Sequence, residues 1–104
     1  MQPDSHIETI VAVATPPGRG GIGIVRLSGP EAKRIAEPML RLRNPLAHAQ
    51  ARFGDVLDLE TQEKLDEAVV TFFAAPNSYT GEDVVEMAAH GSPVILETVL
   101  RQAL

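Results

Sequence analysis

The sequence contains no cysteine and no tryptophan, and its aromatic residues are one tyrosine and three phenylalanines. Without cysteine there are no disulfides and no thiolate metal sites, which suits a reducing, cytoplasmic setting. No apolar run approaches the ~18 residues that a membrane span requires. Met1 to Glu8 lack the charged-then-apolar order of a signal peptide, so a membrane role is not expected. Positive charge is also scarce. Nine lysines and arginines face 14 acidic residues, for a formal net charge of −5. A surface of that sign does not grip a phosphate backbone, so no direct nucleic-acid binding is expected of this segment. There is no G-x-x-x-x-G-K-[ST] run, which excludes nucleotide binding through a Walker-type loop. His6, His48 and His90 are scattered without H-x-x-x-H spacing or a carboxylate cluster, so no metal site is expected.

What remains is a chain of 104 residues, 44% hydrophobic, sufficient for one small domain with a core. It ends on Val99-Leu100-Arg101-Gln102-Ala103-Leu104, an amphipathic helix with no stop signal. That ending is expected of a segment from a longer protein.

Glycine is concentrated where it bears most on function. Thr15 to Gly29 reads TPPGRGGIGIVRLSG, with Gly18, Gly20, Gly21 and Gly23 behind a Pro16-Pro17 pair. Residues without a Cβ let backbone N–H groups approach a ligand or a strand closely. The spacing Gly18-x-Gly20-x-x-Gly23 fits a dinucleotide loop, but such a loop must follow a strand and open a helix. Here Ile24-Val25-Arg26-Leu27 follows, a β-branched run that predicts a second strand. The loop is expected to join two strands, which rejects the dinucleotide reading.

The pattern along the chain predicts strands at Ile7 to Ala14 and Gly23 to Leu27. Ser28-Gly29-Pro30-Glu31 has capping-box spacing with proline early. The helix it opens carries Ala32, Ile35, Ala36, Met39 and Leu40 on one side, with a kink or stop at Pro38. Asn44 to Gln50 reads as a connector. Arg52 to Leu59 reads as a strand, with Phe53 and Val56 as candidate core contacts. After a turn at Thr61-Gln62-Glu63 come strands at Glu67 to Ala74 and Val84 to Ala88, separated by the polar loop Pro76 to Gly81. Ser92 is the expected N-cap of a last helix carrying Val94, Ile95, Val99 and Leu100. The order ββαβββα predicts an α+β fold, a mostly antiparallel or mixed sheet with two helices packed on one face.

Two charges interrupt apolar strands: Arg26 within Ile24 to Leu27, and Glu86 within Val84 to Ala88. Each needs a counter-charge, a ligand or solvent, because an isolated buried charge is costly. One reading places both on the wet face of a half-exposed sheet. The other places them in a ligand cleft, where a carboxylate accepts paired N–H bonds from an amino-pyrimidine edge and a guanidinium holds carbonyls or carboxylates. Together they suit a pterin-like ligand. His90, just past the second of these strands, reads as a strand-end or capping residue, since no nucleophile or carboxylate partner is legible beside it. Glu82-Asp83 reads as a solvated acidic pair. Tyr79, in its polar loop, could stack on a planar ligand or cover the sheet edge.

Two long runs carry a resemblance. Ala14 to Gly29 (ATPPGRGGIGIVRLSG) resembles the N-terminal motif of the TrmE (MnmE) family of bacterial tRNA-modification GTPases. Pro76 to Glu86 (PNSYTGEDVVE), followed by His90-Gly91, does so as well, in the same order and separation. The likeness extends over nearly all of the chain and is weakest over Pro45 to Leu65.

The resemblance implies that residues 1–104 form an N-terminal domain similar to the folate-binding domain of the glycine-cleavage T-protein. It implies binding of a tetrahydrofolate, usually 5-formyltetrahydrofolate, and constitutive homodimerisation with the folate sites near the interface. Helical and GTPase domains, and with them GTP, magnesium and potassium sites, would lie outside this chain. So would a last strand and a folate-contacting lysine. With the flavoprotein MnmG, the family modifies the wobble uridine of tRNA. Carried over by motif, the family's folate-contacting arginine falls on Arg26 and its glutamate on Glu86. Gly20, Gly21, Tyr79, Thr80 and Gly81 would shape the cleft. The resemblance places no catalytic residue in this segment. Two other readings stand beside it: a structural dimerisation module without a ligand, and a T-protein-like folate-dependent one-carbon transferase domain.

Overall fold

The computed structural model describes residues 9–13, 23–78, 81–90 and 93–104. Six strands form one antiparallel sheet: β1 (Ile10–Val13), β2 (Gly23–Ser28), β3 (Leu40–Leu42), β4 (Ala51–Leu57), β5 (Lys64–Phe73) and β6 (Val84–Ala89). Helix α1 (Ala32–Ala36) follows β2 and runs into a 3-10 turn at Glu37–Met39, while α2 (Pro93–Ala103) follows β6. The strand order is β1-β2-β6-β5-β4-β3. Strand β6 thus inserts between β2 and β5, and the segment bearing Glu86 lies at the centre of the sheet. The predicted α+β class holds, with every strand pair antiparallel.

Alternation along the strands decides which face is covered. Val25 and Leu27 of β2, Val85 and Met87 of β6, and Ala68, Val70 and Phe72 of β5 are buried together with Ala32 and Ala36 of α1 and Leu96 and Val99 of α2. Both helices therefore pack on the same side. The opposite side carries Ile10, Phe53 and Val69 at 63%, 59% and 41% exposure, and no described helix covers it.

Several local expectations give way to stronger interactions. Ser28 does not cap α1, because it is the last residue of β2, paired with both Ile10 and Val84. The cap position belongs to Glu31, which has no capping side-chain bond of its own. Its backbone N–H instead donates to Thr9 Oγ1 at 2.9 Å. Pro38 ends the helical run, and Leu40 leaves the helix stripe for β3, opposite Val56. Three residues between a proline turn and Asn44 are too few for a period-2 signal, so β3 is absent from the sequence reading. Phe53 is not in the core: it shares the open face with Ala51 and Asp55, whereas Val56 beyond it is 1% exposed. Val94 is exposed too, and α2 buries Leu96 and Val99 instead.

Side chains fasten the connectors. His48 Nδ1 accepts the Ala74 N–H at 2.9 Å and pins the 44–50 segment to β5. In the turn after β4, the N–H groups of Thr61 and Glu60 bond the Asp58 carboxylate and hold its pKa below the ordinary value.

Candidate functional site

The register places one row of side chains straight across the open face. Ala12 of β1 pairs with Arg26 of β2, Arg26 with Glu86 of β6, Glu86 with Thr71 of β5, and Thr71 with Ala51 of β4. The two charges that interrupt apolar strands in the sequence are thus direct cross-strand neighbours, where opposite charges attract.

Their contact is asymmetric. Arg26 Nε donates to Glu86 Oε2 at 2.8 Å, and its terminal NH2 lies 2.6 Å from the same oxygen. The other carboxylate oxygen, Oε1, has no hydrogen-bond partner among the described residues. The side chains are 37% and 17% exposed, so the glutamate sits deeper than the arginine that faces it. A carboxylate oriented by a guanidinium through one oxygen keeps acceptor capacity on the other. The arrangement fits a ligand that presents N–H donors, beside a cation that can hold a carbonyl. Thr71 Oγ1, on the far side of Glu86, likewise makes no hydrogen bond among the described residues. Sequence reading passed over Thr71, since a threonine within a strand is an ordinary β residue.

Gly81 lies elsewhere, in the turn before β6. Its φ of +82° is one that glycine adopts without strain. It lines a cleft of about 230 Å³ with Pro30, Ala75, Glu82 and Asp83, which does not include Arg26 or Glu86. The acidic pair beside it is partly committed to structure. Asp83 Oδ1 accepts the Ala75 N–H at 2.8 Å, its carbonyl accepts the Gly29 N–H at 2.8 Å, and the Glu82 carbonyl accepts from Ser78 Oγ. Gly20, Gly21, Tyr79 and Thr80 lie outside the described residues.

A second polar pair sits at the opposite end of β6. His90 Nδ1 is 2.5 Å from Asp66 Oδ1, and the His90 N–H donates to Oδ2 at 3.1 Å. Burial raises the Asp66 pKa, but the bonds from the His90 ring and N–H and from the Glu67 N–H outweigh it, and the carboxyl is held below its ordinary value. His90 is thus a strand-end residue with a carboxylate partner, 24 residues away in sequence and invisible as a motif. Among the described residues no group of three or more His, Asp or Glu side chains could hold a metal ion, and no helix is long and apolar enough to cross a membrane.

Comparison with known proteins adds a family. Residues 9–104 match the protein family described as "GTP-binding protein TrmE N-terminus". The sequence is 56% identical over 100 residues to the tRNA modification GTPase MnmE of Koribacter versatilis, covering 93% of this chain and 22% of that protein. It is 50% identical over 97 residues to the protein of the same name from Francisella philomiragia, covering 93% and 21%. Against that of Thermus thermophilus it is 48% identical over 95 residues, covering 89% and 22%. The chain spans about a fifth of the length of the curated relatives it matches.

Proposed function

Since the chain belongs to the family of TrmE N-terminal domains, we propose that it is the tetrahydrofolate-binding and homodimerisation domain of a GTPase that modifies the wobble uridine of tRNA. In this reading GTP, magnesium and potassium bind in other domains, and the flavoprotein MnmG and tRNA are partners of the whole protein, which works in the cytoplasm. The fold is proposed to be that of the T-protein folate-binding domain.

The observation that carries the folate reading is the Glu86 carboxylate, oriented by Arg26 through Oε2 and without a hydrogen-bond partner at Oε1 among the described residues, on a sheet face that no described helix covers. A carboxylate presented in this way matches the adjacent N–H donors of an amino-pyrimidine, and the guanidinium beside it matches the ring carbonyl. Folate would supply a one-carbon unit when bound. What this chain contributes is the holding and orientation of the ring edge.

Titration calorimetry of the chain with 5-formyltetrahydrofolate tests the proposal. Saturable heat that Glu86→Ala removes, with an unchanged circular-dichroism spectrum, supports it. Absence of heat from the parent sequence contradicts it. A second reading has its own support: Ile10, Phe53 and Val69 leave apolar surface on the open face, as a dimerisation module without ligand requires. Sedimentation of a dimer that binds no folate would favour it. A T-protein-like transferase would need a catalytic acid at the reactive folate nitrogen; it is less well supported, because in the acidic pair Glu82-Asp83, its one candidate, the Asp83 carboxylate is already engaged by the Ala75 N–H.

A further inference from the structure

We propose that Thr71 is a third recognition residue beside Arg26 and Glu86, and that the three read the 2-amino-4-oxopyrimidine edge of a ligand. This rests on the folate reading above and adds a specificity-determining hydroxyl to it. The register carries the argument. Arg26, Glu86 and Thr71 are consecutive partners on β2, β6 and β5, so their Cα atoms are separated by about one strand spacing per step, ~5 Å. Read in that order, the row offers a donor, a carboxylate acceptor and a hydroxyl that both donates and accepts. The edge in question presents, in order, a carbonyl acceptor, a ring N–H, an amino group and a ring nitrogen. The two sequences are complementary: guanidinium to carbonyl, carboxylate to the two N–H donors, hydroxyl to the remaining amino proton or the ring nitrogen.

Two further features favour a ligand role. The hydroxyl has no hydrogen-bond partner among the described residues, as Glu86 Oε1 has none. The row also ends in alanine on both sides, at Ala12 and Ala51. The next row along the same face carries Ile24, Ala88, Val69 and Phe53. Alanine at both ends keeps bulky side chains of the same row away from the three polar groups.

Guanine carries the same edge as a pterin, so the test includes both. The chain, Thr71→Val, Thr71→Ser and Glu86→Gln are titrated with 5-formyltetrahydrofolate and with guanosine 5′-monophosphate, alongside thermal unfolding. Valine keeps the β-branched shape and replaces the hydroxyl with a methyl group. Thr71→Val is expected to weaken folate binding about five- to tenfold, the loss of one hydrogen bond, without changing the melting temperature. Thr71→Ser is expected to retain the affinity. Guanosine monophosphate binding more weakly, with the same dependence on Thr71, supports recognition of the shared edge with folate as its source. Guanosine monophosphate binding more tightly than folate keeps the edge recognition and overturns the folate reading. Loss of binding in Glu86→Gln with full affinity in Thr71→Val overturns the role of Thr71 and leaves the folate reading standing. No binding of either ligand by the parent sequence overturns both.

Discussion

Asp66 and His90, 24 positions apart, are joined twice: ring to carboxylate at 2.5 Å, and backbone N–H to the second carboxylate oxygen at 3.1 Å. The pair ties β5 to the junction between β6 and α2, and the Asp66 side chain is only 12% exposed. A carboxyl whose folded-state pKa is depressed stabilises the fold above its unfolded pKa, and that stability is lost as pH falls through the folded value. Asp66→Asn should therefore cost about 1.5–3 kcal/mol at neutral pH, the range for hydrogen bonds to a charged group. The deficit should shrink as pH falls below the ordinary carboxylate range. Urea unfolding of both proteins at neutral and acid pH checks this; an equal gap at both would contradict it.

Gln102 acts at the far end of α2. Its Oε1 accepts the Leu59 N–H at 2.7 Å, while its Nε2 donates to the Leu57 carbonyl at 3.1 Å. One amide thereby serves as a strand partner for the chain leaving β4. Gln102→Ala should lower stability by about 1–3 kcal/mol, the cost of two backbone groups losing a partner. Amide hydrogen exchange at Leu59 should accelerate, and unchanged protection there would refute the clamp.

Gly54 of β4 lies directly opposite Leu42 of β3. A Cβ at this position would stand 2.3 Å from the Arg41 carbonyl oxygen and 2.8 Å from Leu42 Cδ2. The first of these is backbone, so β3 itself must move. Gly54→Ala should destabilise the domain by roughly 1–3 kcal/mol, the usual cost of overpacking. Loss of exchange protection should be concentrated at Leu40–Leu42, and a wild-type denaturation midpoint would show the strand to be more yielding than the distances imply.

Arg26 and Glu86 should behave as a unit in stability as well as in binding. Removing one leaves the other charged and without its cross-strand partner, and removing both does not. Arg26→Ala and Glu86→Ala should each destabilise, and the double variant should cost less than the sum of the two. Denaturant unfolding of the four proteins closes the cycle; strict additivity would mean the 2.6 Å contact carries no coupling energy.

These relationships differ in how far they could be read from residues alone. Gly23 to Leu27 and Val84 to Ala88 announce their strands by β-branched runs, and Arg26 and Glu86 are conspicuous because each breaks such a run. That they face each other is a matter of register. Register depends on β6 entering between β2 and β5, and no local pattern encodes that. Thr71 is silent for the opposite reason: threonine belongs in strands, and only its place opposite Glu86 singles it out. Ser28 shows a local rule losing to a tertiary one, since the capping-box spacing is present but the residue is already held on both sides by strands. Phe53 misleads through composition, because a phenylalanine within a strand suggests the core until the alternation is anchored by Val56.

The measurement that tests the account most directly is a nitrogen–proton correlation spectrum of the chain during titration with 5-formyltetrahydrofolate. If the open face holds the ligand, the largest saturable shifts fall on Arg26, Glu86, Thr71 and their neighbours in β2, β6 and β5, and they vanish in Glu86→Gln. Shifts confined to the Gly81–Asp83 cleft or the helical face, or no shifts at all, would contradict the assignment of the folate site to the Arg26–Glu86 pair.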